Sequence, residues 1–213
     1  MARKHLVWDW NGTLLNDFGA VVSATNTVIT EAGGPFLTAE EQGARFRRPI
    51  IAYYSELVGR SLTEAEFAEL DKAFHAAYLE HLRFVDLHAE SRSALSIWPG
   101  TQSLLSMWFH QSLMPLITRF DLAEKFALVQ GLRSESDGHS KQPHLERHLE
   151  SLQLRPQECV LIGDTVDDAK SALGLGAQVV LFTGGFSSRE QLQGVGVPLA
   201  DSLSEAVTIA QQL

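Results

Sequence analysis

The segment His5-Leu6-Val7-Trp8-Asp9-Trp10-Asn11-Gly12-Thr13 constrains the fold of this chain more than any other. A short apolar run bounded by turn residues suits a buried strand, and Asn11-Gly12 stops it abruptly. Asp9 therefore falls at the carboxyl end of a strand, where open α/β sheets bind their ligands. Alternation along a strand puts Trp8 and Trp10 on the side opposite Asp9, which assigns both to core packing.

The chain after this strand divides into two styles of pattern. From residue 17 to about 86 it reads as helical throughout. Phe18 to Ala32 carries spaced valines and an isoleucine and stops at Gly33-Gly34-Pro35. Thr38-x-x-Glu41 and Thr63-x-x-Glu66 have the form of capping boxes. After the second box, Phe67, Leu70, Phe74, Ala77 or Tyr78 and His81 recur at three- and four-residue steps along one helix face. From residue 87 onward strands and helices alternate. Ala89 to Trp98 reads as helix, Ser103 to Met107 as strand, Phe109 to Phe120 as helix and Phe126 to Val129 as strand. Lys141 to Leu154 is then helix, Glu158 to Ile162 strand, Asp167 to Leu173 helix, Gln178 to Phe182 strand, and a capped helix starts near Ser187 with Glu190 closing its box. Alternating strands and helices predict a doubly wound, Rossmann-like parallel sheet covered on both faces. The expected organisation is an α/β core of residues 1–16 and 87–213, with residues 17–86 inserted after the first strand as an α-helical cap.

Composition narrows the function. The formal net charge is −9, from 17 basic and 26 acidic residues, which opposes a nucleic-acid partner because such binding needs clustered excess Lys and Arg. The remaining expectation is a small ligand. No stretch approaches the roughly 18 apolar residues of a membrane span, and the short apolar run after the basic N-terminus contains Asp9, unlike a signal peptide. Cys159, the single cysteine, sits before Val160-Leu161-Ile162 and reads as a small buried hydrophobe; with no intrachain disulfide possible, a cytoplasmic location is expected. The histidines lack a metal-ligand spacing and are expected at the surface, including His144 and His148, four apart on a helix. Gly174-x-Gly176 reads as a helix end. Oligomeric state leaves no sequence signal.

The carboxylates carry the chemistry. Asp9, Asp164 and Asp168 each lie at or just past the end of an apolar strand, in loops that can converge on one edge of the sheet. Three acids brought together need a cation, and oxygen-only ligation suits a hard divalent ion such as Mg²⁺. Asp164 and Asp168 are four apart behind Gly163, so a turn entering a helix puts both on one side.

At these positions the chain resembles the haloacid dehalogenase superfamily of phosphatases. Asp9-x-Asn11-Gly12-Thr13, Ser106 after the second strand, Lys141 and Gly163-Asp164-x-x-x-Asp168 resemble its four motifs, in order. Phe120-Asp121-Leu122 through Phe126 is similar to the segment that follows motif two in phosphoglycolate-phosphatase-like members. The resemblance implies Asp9 as the nucleophile of an aspartyl-phosphate mechanism. It implies Thr13, Ser106 and Lys141 as stabilisers of phosphoryl oxygens, and Asp9, Asp164, Asp168 and the backbone carbonyl of Asn11 around Mg²⁺. Thr118, at the end of another apolar run, competes with Ser106 for motif two, although Pro115 argues against a central strand there. The helical insertion resembles a small cap that selects substrate, and Arg47 and Arg48, in a loop opened by Pro49, are its candidate contacts to a substrate carboxylate or second phosphate. The implied substrate is a small phosphorylated metabolite.

Asn11 departs from the family pattern, which has an acid there to protonate the leaving alcohol. An amide cannot exchange that proton. The expected activity is thus a Mg²⁺-dependent phosphomonoester hydrolase, with a catalytically impaired phosphate-binding or regulatory relative as the alternative.

Overall fold

The computed structural model describes residues 5–133 and 140–213. Six parallel strands form one sheet: β1 (His5–Trp8), β2 (Gln102–Phe109), β3 (Val129–Leu132), β4 (Cys159–Gly163), β5 (Gln178–Phe182) and β6 (Leu199–Ala200), in the spatial order β3-β2-β1-β4-β5-β6. The chain moves outward from β1 through β2 to β3, then returns to the other side of β1 for β4. Strand order therefore reverses between β1 and β4, and at such a reversal the connecting loops diverge and leave a crevice. The registers Val7↔Leu161 and Trp8↔Ile162 bring the ends of these two strands level.

Period-two alternation splits the core. Leu6, Trp8, Trp10 and Leu104 join one buried cluster with α5 (Ser91–Ile97), α6 (His110–Arg119) and α10 (Leu203–Gln212). Val7, Leu105, Leu161 and Val179 join another with α7 (Gln142–Ser151), α8 (Val166–Leu175) and α9 (Arg189–Gln193). Trp8 and Trp10 are wholly buried, and Cys159 is a buried free thiol. Gly176 ends α8 in the left-handed conformation. The four helices α1 (Phe18–Glu31), α2 (Ala39–Arg45), α3 (Ile50–Val58) and α4 (Glu64–Leu82) form a block with its own apolar cluster around Ile29, Tyr53, Tyr54 and Leu57. Both expected capping boxes, at Thr38 and Thr63, are present. Among the described residues no helix is long and apolar enough to cross a membrane.

Several elements differ from the sequence expectation for identifiable reasons. The third strand is Val129–Leu132, not Phe126–Val129, because its partner sets the register, Leu104↔Val129, while Phe126 turns into the core. The helix near Ser187 is capped one residue later, by Ser188 paired with Gln191. On α4 the buried positions are Tyr78 and Leu82, while His81 is exposed. The last strand and α10 follow the helices predicted from pattern, and α10 is held by Leu203, Ala206, Val207 and Ala210.

The histidines are not all at the surface. His5 and His148 are buried in a polar chain across the foot of the sheet. His148 Nδ1 lies 2.7 Å from the Gln130 side-chain oxygen, and its Nε2 lies 2.7 Å from the Ser103 hydroxyl. His5 Nε2 is 2.8 Å from that same hydroxyl, and its Nδ1 is 2.8 Å from the Thr101 hydroxyl. With Gln130 as acceptor, one consistent assignment has each imidazole neutral: His148 donates to Gln130 and accepts from Ser103, whose oxygen accepts from His5. Burial holds both rings below the ordinary histidine value, His5 at about 4 and His148 at about 3. The unfolded chain then binds more protons than the folded one below pH 6.5, so this pair stabilises fully above that pH and progressively less as pH falls toward 4. Urea denaturation of wild type and His148→Gln is expected to show a shallower loss for the variant between pH 7 and pH 5, by about 1–2 kcal/mol.

Candidate active site

The site begins with the backbone after β1. The Asp9 amide donates to the Ile162 carbonyl at 2.9 Å and extends the β1–β4 ladder to the carboxylate. The chain then turns on Gly12, whose φ is +75° and whose missing Cβ leaves room for Asp164: a methyl there would stand 2.4 Å from an Asp164 carboxylate oxygen. Two more glycines make similar room. A Cβ at Gly185 would strike Asp164, and one at Gly163 would strike Asp168.

Asp9, Asp164 and Asp168 are thereby brought together, each buried and each with an oxygen within 4.8 Å of the others. Lys141, at the start of α7, is 2 % exposed; its Nζ lies 2.6 Å from Asp9 Oδ1 and also pairs with Asp168. Asp168 further accepts from the Thr165 hydroxyl at 2.6 Å and the Thr165 amide at 3.0 Å, in the capping box of α8. Asp164 accepts from the Thr13 hydroxyl and from the Phe186 amide, both at 2.7 Å.

Burial raises Asp9 to about 6 against the pull of Lys141. Burial, with Asp9 and Asp168 adding like charge, pushes Asp164 well above the carboxylate range. Burial alone would lower Lys141, but Asp168 and Asp9 outweigh it and hold the ammonium above its ordinary value. Fully ionised, the three carboxylates against one ammonium would leave two negative charges uncompensated in a buried site. An all-oxygen donor set with that charge fits a divalent cation, which would restore neutrality and favour the ionised form of Asp164.

Ser106 is buried at the end of the regular part of β2 and donates to Asn11 Oδ1 at 3.1 Å, while accepting from the Trp108 amide. Thr118 lies within α6, exposed, its hydroxyl bonded to the Met114 carbonyl. Motif geometry thus brings Ser106, not Thr118, to the site. The Thr13 hydroxyl is wholly buried and aimed at Asp164, not presented to the cavity expected to receive phosphate.

The two arginines separate. Arg48 lines the cavity above Asp9 and stands 3.9 Å from Asp167, whose carboxylate also accepts from the Lys141 amide at 3.0 Å. Arg47 is not brought to that cavity. It pairs with Glu56 and donates to the Ala52 carbonyl beside a separate shallow groove, because successive residues in an extended loop point opposite ways.

Asp17 is the residue that sequence reading missed. It was legible only as a turn residue before a helix, a position that favours an N-cap. Its carboxylate makes no cap bond to α1. It turns back, fully buried, to accept from the Gly12 amide at 2.7 Å, Asn11 Nδ2 at 2.8 Å and the Tyr78 hydroxyl at 2.6 Å. Asn11 Nδ2 also reaches the Tyr78 oxygen at 3.0 Å. Burial raises Asp17 to about 6 despite these donors.

A HAD-hydrolase-like family model matches residues 138–206, which hold Lys141, Asp164 and Asp168. The chain is 24 % identical over 201 residues to phosphoglycolate phosphatase of Chromobacterium violaceum, covering 89 % of each. It is 27 % identical over 198 residues to phosphoglycolate phosphatase of Thiobacillus denitrificans, covering 86 % of this chain and 85 % of that one. A predicted phosphatase from Clostridium acetobutylicum superposes with a TM-score of 0.84 at 18 % identity over the full length of both chains, a likeness of fold.

Gly12→Ala is expected to unseat Asp164 and strain the turn together. Thermal denaturation should show a loss of at least about 1 kcal/mol, where a surface Gly→Ala such as Gly19→Ala, which meets no atom within 4 Å, should show none.

Proposed function

We propose that this chain is a haloacid dehalogenase-like hydrolase, in keeping with the family match over residues 138–206 and the phosphoglycolate phosphatase relatives, and that it is a Mg²⁺-dependent phosphatase acting on a small phosphomonoester through Asp9. The observation that carries the reading is the Asp9 carboxylate, held 2.6 Å from the Lys141 ammonium at the end of β1 and open to a cavity. Asp9 attacks phosphorus in line, the bond from phosphorus to the alcohol oxygen breaks, and the resulting aspartyl-phosphate is hydrolysed by water to regenerate the carboxylate. Lys141 neutralises charge that develops on the phosphoryl oxygens, and Asp168 keeps that lysine protonated and aimed. Thr13 and Ser106 act as positioning residues, through Asp164 and Asn11 respectively.

Asp9, Asp164 and the Asn11 backbone carbonyl would hold the Mg²⁺ ion, with Asp168 close behind. Bound there, the ion supplies positive charge that offsets the repulsion between an anionic nucleophile and an anionic phosphate. Residues 17–86 act as the cap over the α/β core formed by residues 1–16 and 87–213, and Arg48 is its cation nearest the phosphoryl site. A cytoplasmic location accords with the single buried thiol.

A second reading, phosphate binding with little turnover, draws on Asn11. Its amide is spent on structure, Nδ2 on Asp17 and Tyr78 and Oδ1 on Ser106, and it cannot protonate a departing alcohol. Steady release of phosphate from acetyl phosphate decides for the enzyme.

Asp9→Asn should lower that turnover by at least about a thousandfold; unchanged hydrolysis sinks the mechanism. Mg²⁺ at ten times its dissociation constant should stabilise the wild type by about 1.4 kcal/mol, and Asp164→Asn should erase the shift in melting temperature. Asn11→Asp alone sets two carboxylates against each other at Asp17. Paired with Asp17→Asn the hydrogen-bond pattern is restored in reverse, and the double variant should hydrolyse alkyl phosphates up to about 10²-fold faster than wild type.

A further inference from the structure

The cavity above Asp9, about 210 Å³, is walled by aromatic and aliphatic side chains where a substrate's non-phosphate part must lie. Phe46, Ile50, Phe67 and Phe74 come from the helical block, and Met107 and Phe109 from β2. The rings of this wall pack against other aromatic side chains. Phe74 stacks on Tyr78 with centroids 5.8 Å apart and planes 9° apart, and Tyr78 meets Trp108 edge-on at 5.6 Å. Such a wall offers edge and face contacts to another aromatic ring at little ordering cost.

The charges in the same lining disfavour a substrate whose non-phosphate part already carries a negative charge when it binds. Beyond the Asp9 cluster they are Glu64, Asp71 and Asp167 against Arg48 and His75. Arg48 faces Asp167 at 3.9 Å and His75 faces Asp71 at 3.4 Å. A carboxylate on the substrate in addition to its phosphate would enter a region already rich in carboxylates, and would compete with Asp167 for the guanidinium.

Asn11 supplies an independent constraint. The cavity wall beside Asp9 carries an amide whose hydrogen bonds are all internal, so the alcohol must depart without a proton from that side. A phenol, with a pKa of roughly 10 as in tyrosine, departs as its anion far more readily than an aliphatic alcohol, whose pKa is close to the roughly 15.7 of water.

We infer that the substrate is a phosphate ester of an uncharged aromatic alcohol, its ring held between the helical block and β2 and its phosphate on Asp9. The inference rests on the phosphatase reading above and narrows it. In the reaction the P–O(aryl) bond breaks as the Asp9 carboxylate oxygen bonds to phosphorus; the phenolate leaves with the electron pair and takes its proton from solvent.

The test is a steady-state panel on wild-type protein with Mg²⁺: phenyl phosphate, 1-naphthyl phosphate, 4-carboxyphenyl phosphate, 2-phosphoglycolate and acetyl phosphate. Acetyl phosphate has a good leaving group too small to reach the rings, so it reports on the Asp9 chemistry alone. The expected result is a KM for 1-naphthyl phosphate at least tenfold below those for 4-carboxyphenyl phosphate and 2-phosphoglycolate. Phe67→Ala and Phe109→Ala should each raise the ratio of the naphthyl KM to the acetyl phosphate KM about fivefold or more. Equal or better KM values for the two carboxylate-bearing esters, with acetyl phosphate still hydrolysed, would overturn the aromatic assignment and leave the phosphatase standing. Absence of turnover on acetyl phosphate and all four esters would remove both.

Discussion

Uncompensated negative charge at the meeting of β1 and β4 is the constraint on which the rest of the structure depends. Asp9, Asp164 and Asp168 lie too close together to ionise unaided in a buried site, and Lys141 answers only part of their charge. Every local device around them serves that cluster. Thr13 and the Phe186 amide hold Asp164, Thr165 holds Asp168, and Asp167 holds the Lys141 backbone. Gly12, Gly163 and Gly185 clear the space that carboxylates occupy. A cluster that is unfavourable by itself persists because the folded chain encloses it with donors.

The same cluster is tied to the helical block through uncharged groups. Asn11 joins Ser106 of the sheet to Asp17 and to Tyr78 of α4, and Tyr78 in turn abuts Phe74 and Trp108 in the cavity wall. The loop that carries Asp9 and the aromatic wall of the cavity therefore share a residue. An acid in place of Asn11 would face Asp17, so the amide and the buried acid form a matched pair. The amide at residue 11 and the aromatic wall of the cavity are the two features on which the proposed aryl ester rests, since a leaving group stable as its anion needs no donor.

Much of the fold was legible because its signals are local. Apolar runs of the right length, capping residues and glycine stops marked most helices and the strands β1, β2, β4 and β5. Errors fell where a partner decided: β3 starts at Val129 because β2 fixes its register, and His148 is buried because Ser103 and Gln130 satisfy both ring nitrogens. A helix pattern with one histidine on its face carries no mark of whether a polar partner waits opposite. Arg47 and Arg48 are adjacent and chemically equal, yet only Arg48 lines the cavity above Asp9.

By itself the sequence determined that Asp9 and Asp164 stand at or just past the ends of apolar strands, through periodicity and turn chemistry that act over a few residues, and that residue 11 is an amide. The ordered set with Ser106, Lys141 and Asp168 came from its resemblance to the motifs of a family. Only the tertiary structure decided that Thr13 serves Asp164, that Asp17 turns away from its helix to grip Asn11 and Tyr78, and that the cavity is aromatic with its cations already faced by acids. These depend on side chains separated by up to 151 residues meeting within hydrogen-bond distance. Such pairings arise from the burial of the whole chain, and no short window of sequence contains both partners.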